Sequence, residues 1–242
     1  MLYDIGTDIG FIFTFGLILR LRPGSSSITF LAPVCSSWVW ISRYRTGRCA
    51  GVPLGFRFDP QIENYNVMVS RCMLILFYLC IMEIPWVLEQ PGTSIMNLHP
   101  RFQLIIAMFP IYRIYVNLSA YGGDSAKPTL LWSNRQSLLD GLEPLTLMPW
   151  QQVWKQLATR VWNESKDRWD TFGRTKELVC SSAYPAAFGR ALARSHRKLQ
   201  ARMVSPCRAC PKDFINNLLQ LDGDPWDDAR LASALALART LR

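Results

Sequence analysis

The sequence predicts an α/β fold in three layers, and three features predict it. Ile28–Pro33 and Pro85–Glu89 are short runs, apolar on both faces, as buried parallel strands are. Between them lies an apolar helical stretch, Asn66 to Met82, so the unit reads strand, crossover helix, parallel strand, a connection that is almost always right-handed. Two alternating runs, Tyr112–Leu118 and Lys127–Asn134, flank a Tyr121-Gly-Gly123 turn and predict an antiparallel pair that closes the sheet.

The remaining elements follow from local signals. Gly10–Leu21 is apolar and helical, and Pro23-Gly24 stops it. The stretch from Ser36 to Pro60 mixes Trp38, Trp40 and Tyr44 with Arg43, Arg45 and Arg48, then turns rich in Gly and Pro. It is expected to be a long loop after a strand, a common place for function. Pro91-Gly92 ends the second strand, Thr93 or Ser94 caps the next segment, and His99-Pro-Arg101 opens a helix over Phe102–Met108. Trp150, Trp154, Trp162 and Trp169 recur at roughly helical spacing, which predicts a packing face. Ser181-Ser-Ala-Tyr-Pro185 introduces a helix from Ala186 to Met203. The tail from Pro225 starts with Asp227 and Asp228 and ends in arginines, charges that suit a helix dipole. The expected organisation is an α/β core over 1–149, a Trp-rich, basic continuation of the same domain over 150–204, and a helical or flexible tail over 205–242.

Composition bounds the function. The chain has 242 residues, half of them hydrophobic, which suits one α/β domain with a tail. Residues 1–149 carry 11 Lys+Arg against 9 Asp+Glu, and residues 150–242 carry 16 against 9. The stretch Arg190–Lys212 holds seven basic residues and no acidic one, which suits a polyanion or, equally, a solvated helix face. Seven scattered cysteines without framework spacing point to a reduced, intracellular protein, nuclear or cytoplasmic. Cys207-Arg-Ala-Cys210 stands alone as a C-x-x-C, and with only two histidines the ligand supply argues against a zinc site. The wholly apolar run Cys72–Met82 is shorter than the ~20 residues a bilayer span needs, so a buried helix is expected there.

The parallel unit places the carboxyl ends of both strands on one edge, where open α/β sheets bind ligands. Cys35 follows the first strand and Glu89 ends the second. A thiol and a carboxyl at one edge can serve as nucleophile and proton donor. The plain alternative is a small buried cysteine and a strand-end glutamate.

The blocks LAPVCSS, EQPGTS, YGGDSAKPTLLWSN and AYPAAFGRALA, in that order over residues 1–200, resemble the cytosine-5 DNA methyltransferase superfamily, and within it a divergent algal, dinoflagellate-type set. The resemblance implies an incomplete Rossmann-like methyltransferase domain. Cys35 matches the family's nucleophile, although Val34 stands between it and Pro33, where the family has proline directly before cysteine. Glu89 matches the glutamate of the Glu-Asn-Val motif, with Gln90-Pro91 replacing Asn-Val. Ser36, Ser37, Arg43, Arg48, Gln90 and Lys127 are then the substrate-binding candidates, and AYPAAFGRALA is similar to the last motif of the family. The implied cofactor is S-adenosylmethionine, but its binding residues are not identified. No Gly-rich turn precedes LAPVCSS, and Asp4, Gly6, Asp8 and Gly10 resemble the family segment just before the nucleophile strand. The front of the domain is therefore expected to be missing.

The function implied is S-adenosylmethionine-dependent methylation of cytosine in DNA, in an active or a degenerate form. A target base in duplex must leave the stack for this chemistry. Two rivals stand beside it, a non-catalytic nucleic-acid-binding module and a membrane-associated protein that uses the apolar helices.

Overall fold

A computed structural model of the chain describes residues 4–21, 27–123, 127–142, 158–173 and 183–200. The elements in order are α1 (Asp8–Leu19), β1 (Thr29–Leu31), α2 (Arg43–Thr46), α3 (Pro60–Ile81), β2 (Trp86–Pro91), α4 (Pro100–Met108), β3 (Tyr112–Asn117), β4 (Pro128–Ser133), α5 (Gln136–Leu139), β5 (Ala158–Asn163), β6 (Arg168–Gly173) and α6 (Ala186–Gln200). The architecture is mixed α/β.

Four strands form one sheet in the order β1-β2-β4-β3. β1 and β2 are parallel, paired Thr29 to Trp86 through Leu31 to Leu88. β4 is antiparallel to β2 and to β3, so β3 runs the same way as β1 and β2. The carboxyl ends of β1, β2 and β3 and the start of β4 therefore share one edge.

Strand alternation distributes the core. Trp86, Leu88, Leu130 and Trp132 point to one face, where α1, α3 and α4 supply Phe11, Phe15, Val69, Met73, Leu76 and Phe102. Val87, Leu131 and Val116 point to the other, where α5 and α6 supply Leu138, Leu139, Phe188, Ala191 and Leu192. Helices thus cover both faces of the sheet.

α3 is the central helix. It starts six residues before the expected Asn66, because Asp59 caps it and Pro60 occupies the first turn. The Asp59 carboxylate accepts from the amides of Gln61 (2.8 Å) and Ile62 (3.4 Å). Its 22 residues are long and apolar enough to cross a bilayer, yet 72% of its apolar stretch is buried inside the fold. Arg71 lies mid-helix, where it pairs with Asp8 and donates to the carbonyl of Ile5 (3.0 Å), fastening the start of α1 to α3.

Three expectations change. β1 is only Thr29–Leu31, and the loop after it contains the short helix α2. Pro91 belongs to β2, where it pairs with Thr129, so the break comes at Gly92. The Trp-rich stretch is not helical over 158–173. β5 and β6 form an antiparallel hairpin with Trp162 in register with Trp169. Its strands carry Thr159, Val161, Thr171 and Phe172, β-prone residues, and its turn holds Asp167 at φ 47°, a left-handed position that aspartate tolerates. Trp150, Trp154, Cys207, Cys210 and the tail 205–242 lie outside the described residues.

Candidate active site

The sheet edge brings together four side chains from four parts of the chain. Cys35 follows β1, Glu89 lies within β2, Lys127 precedes β4 and Tyr184 precedes α6. Tyr184 donates from its hydroxyl to Oε2 of Glu89 at 2.7 Å. Its ring packs edge-on against Phe30 of β1 (5.5 Å between centroids) and stacks with Phe188 of α6 (5.9 Å). The Lys127 ammonium sits 5.1 Å from the same ring.

Hydrogen bonds hold the Cys35 loop in place. The amide of Trp38 donates to the carbonyl of Cys35 (2.8 Å) and closes a turn. Trp40 and Ile95 then bond across to Thr93 and Trp38 (3.0 and 2.8 Å), tying the loop after β1 to the loop after β2. Gln90 reinforces this junction. Its amide donates to the carbonyls of Pro33 (3.3 Å) and Glu89 (2.7 Å) and accepts from Ser94 (3.0 Å). At 1% exposure Gln90 is a strut between loops, not a substrate contact, because its amide is already engaged.

Arg48 is likewise engaged inside the loop and is not a substrate contact. It is 1% exposed, and its guanidinium lies 3.6 Å over the Trp38 ring. It donates to the carbonyl of Pro53 (2.9 Å) and to Oγ of Ser37 (3.1 Å). Gly55 completes this fold of the loop at φ 68°, where a Cβ would lie 2.2 Å from the carbonyl oxygen of Thr46. Ser37 is thereby buried as an acceptor. Ser36 is exposed and donates to the Tyr65 hydroxyl (3.2 Å), beside a polar cavity of about 170 Å³ that Ser42, Arg45, Asp59 and Gln61 also line. Arg43 is half-buried, with its guanidinium 4.0 Å from the Trp40 ring and 4.7 Å from the Tyr44 ring.

Burial and the Lys127 charge set the electrostatics of this edge in opposite senses. Burial raises the pKa of Glu89, while the Tyr184 hydrogen bond and Lys127 oppose the rise. Burial, and then the charge of Glu89, raises the Cys35 thiol, and Lys127 opposes that as well. The Tyr184 phenol is pushed up by burial and by Glu89. Glu89 is 5% exposed and its Oε1 is buried without a hydrogen-bond partner. A buried carboxyl oxygen in that state is costly unless it is protonated or meets a ligand.

The segment Asp4–Gly10 is built for a different task. Oδ1 of Asp4 accepts from the Gly6 amide (2.9 Å), Oγ1 of Thr7 accepts from the Gly10 amide (3.1 Å) and caps α1, and Asp8 pairs with Arg71. A Cβ on Gly10 would fall 2.1 Å from the carbonyl oxygen of Asp4, so the chain itself fills the space beside this glycine. Among the described residues no group of three or more His, Cys, Asp or Glu stands together as a metal site.

Sequence reasoning missed Tyr184. Its signal was the Tyr-Pro pair ahead of α6, and only the packing of α6 on the second face shows that the phenol reaches Glu89. No family model, no curated protein and no solved structure matches this chain.

Proposed function

We propose that these residues form the base-binding half of a Rossmann-like methyltransferase domain that acts on cytosine in DNA, with Cys35 as nucleophile and Glu89 as acid. One observation carries the reading. A thiol follows β1, a carboxyl in the neighbouring parallel strand β2 lies near enough for its charge to act on it, and that carboxyl keeps a buried Oε1 without a hydrogen-bond partner. The fold supports it with a parallel pair linked through a crossover helix and helices on both faces of the sheet.

The chemistry uses the acid form of Glu89, which burial favours, and the thiolate of Cys35, which burial disfavours. The Cys35 thiolate adds to C6 of an extruded cytosine and forms the C6–S bond. The C5=C6 π electrons move to C4=C5, the C4=N3 π electrons move onto N3, and N3 takes the proton of the Glu89 carboxylic acid, which is left as carboxylate. The raised pKa of Glu89 favours the acid that this step consumes. Lys127 favours the thiolate against the burial that disfavours it. S-adenosylmethionine is the methyl donor that the family resemblance implies, and the reaction assigned to these residues ends at the activated base.

Hydrogen exchange at C5 tests this without a methyl donor, because the adduct is an enamine that takes a solvent deuteron at C5 before the thiol leaves. DNA incubated with the protein in deuterium oxide should yield deoxycytidine one mass unit heavier, and Cys35→Ser should abolish the gain. An unchanged mass with the parent protein overturns the assignment. Salt-dependent DNA binding without exchange would favour the second reading, a non-catalytic nucleic-acid-binding module. The half-buried Arg43 held between Trp40 and Tyr44 supports that reading.

A further inference from the structure

We infer that Tyr184 is a positioning residue for Glu89: by holding Oε2 it leaves Oε1 to face the base and places the acid proton there. The inference rests on the base-side reading above and deepens it to a choice between bases.

A carboxylic acid has one O–H and can present to a ligand either a donor or an acceptor. The Tyr184 hydroxyl donates to Oε2 across 2.7 Å, so Oε2 is occupied as an acceptor. The acid proton then belongs on Oε1, which is buried and has no hydrogen-bond partner. Oε1–H is a donor, and N3 of cytosine is an acceptor. The opposite arrangement, with the proton on Oε2, would present a bare oxygen to the ring. That oxygen would suit the N3–H of thymine or uracil and repel cytosine. One tyrosine thus decides which pyrimidine edge the acid reads.

The phenol is well placed for this work. Phe30 and Phe188 fix its ring from β1 and α6, and Lys127 lies against its face. The titratable groups that face Glu89 are Cys35 from the loop after β1, Lys127 ahead of β4 and Tyr184 itself. Of these, Tyr184 and Lys127 stabilise the carboxylate against burial. Removal of the hydroxyl alone should therefore raise the pH at which Glu89 loses its proton.

Tyr184→Phe keeps the ring and removes the bond. Carbon-13 NMR of the labelled Glu89 carboxyl should show a midpoint higher by about one pH unit. The alkaline limb of C5 exchange should move up with it, and the preference for cytosine over uracil in DNA should fall about tenfold, the equivalent of one such bond. An unshifted midpoint overturns the inference. A shifted midpoint in a protein that never exchanges C5 hydrogen overturns the base-side reading and leaves the Tyr184–Glu89 coupling in place. Should Tyr184→Phe fail to fold, Glu89→Gln provides the second measurement. Tyr184 would hold the amide oxygen and turn the NH₂ to N3, so binding to cytosine-mismatch DNA should become independent of pH while thymine is still refused. Equal binding of both bases by that variant contradicts the positioning role.

Discussion

The guanidinium of Arg48 lies 3.6 Å over the indole of Trp38, and both residues are buried. Burial lowers the pKa of Arg48 to about 10, so it remains charged at neutral pH and must be satisfied inside the loop. The Pro53 carbonyl and the Ser37 hydroxyl accept from Nη1 and Nη2, although Nε has no hydrogen-bond partner, and they join the segments on either side of α2 around the cation. The loop that carries Cys35 is therefore positioned from within.

Arg48→Ala should cost about 3 kcal/mol in urea unfolding, because it removes a desolvated cation–π contact and leaves a buried hydroxyl and a carbonyl without a donor. Arg48→Lys should recover only part of this, since an ammonium cannot reach both acceptors and stack on the indole. Arg43→Ala, at a half-buried site on the same loop, should change stability by no more than about 0.5 kcal/mol. Similar costs for Arg43→Ala and Arg48→Ala would remove the distinction between a loop strut and a surface cation.

Cysteine labelling tests the electrostatics of the edge. Cys49 is exposed, Cys35 is half-buried, and Cys72 and Cys80 are buried thiols pushed up to about 12. Among these four, peptide mapping after iodoacetamide treatment of the native protein should find Cys49 modified first, Cys35 more slowly, and Cys72 and Cys80 unmodified. The neighbours of Cys35 shift it in opposite senses. Glu89→Gln removes a charge that raises the thiol pKa, so Cys35 should react faster, whereas Lys127→Met removes one that lowers it, so Cys35 should react more slowly. Equal rates in the two variants would mean that neither charge reaches the thiol.

The parallel unit was legible because Ile28–Pro33 and Pro85–Glu89 are apolar on both faces and a long apolar stretch joins them. The shared edge of β1 and β2 followed from that connection. What stayed illegible has local causes. Arg48 sits among aromatics and other arginines, and composition alone does not tell a buried cation from an exposed one. Gln90 reads as a pocket residue until its amide is seen to be engaged by Pro33, Glu89 and Ser94. Trp162 and Trp169 are seven apart, a spacing that two helical turns and a hairpin register both satisfy. The early start of α3 was signalled by Asp59-Pro60, which instead read as the end of a Gly/Pro-rich loop. Tyr184 meets Glu89 across 95 residues, a contact that no local pattern encodes.

Acid should destabilise the fold through its histidines. His99 is 1% exposed, its Nδ1 accepts from the Arg101 amide at 3.2 Å, and Nε2 lies 3.4 Å from the Ser70 hydroxyl. Burial, with the Arg101 and Arg48 charges, pushes its pKa down to about 3. The unfolded chain binds a proton at this residue near pH 6.5 and the folded chain does not until about 3. Between those values the unfolded state holds the extra proton, so stability falls as pH falls, with a slope of up to about 1.4 kcal/mol per pH unit. His196, also lowered by burial, adds to the loss with the same sign. Unfolding free energies measured from pH 7 to 4.5 should decline accordingly, and His99→Gln should flatten the decline. A slope unchanged by that substitution would place the acid sensitivity elsewhere.

Nucleic-acid binding separates charge from stacking. Arg190, Arg194, Arg197 and Lys198 are exposed on the outer face of α6, opposite the face that buries Phe188, Leu192 and Leu199. Trp40 is 51% exposed and Tyr44 83%. Cations that meet phosphates release counterions, so removing one such cation should reduce the slope of log affinity against log salt by about 0.7 on single-stranded DNA. Changing Arg190, Arg194 and Arg197 together to glutamine should therefore flatten the salt dependence. Trp40→Ala and Tyr44→Ala remove π surfaces that carry no charge. Each should weaken single-stranded binding by about 1–3 kcal/mol while leaving the salt slope where it was. Fluorescence anisotropy over a salt series reads both quantities at once. If the α6 substitutions leave slope and affinity untouched, the basic stripe is only a solvated helix face and does not contact the strand. If the aromatic substitutions alter the slope, the two rings act by placing Arg43 against a phosphate and do not stack on bases.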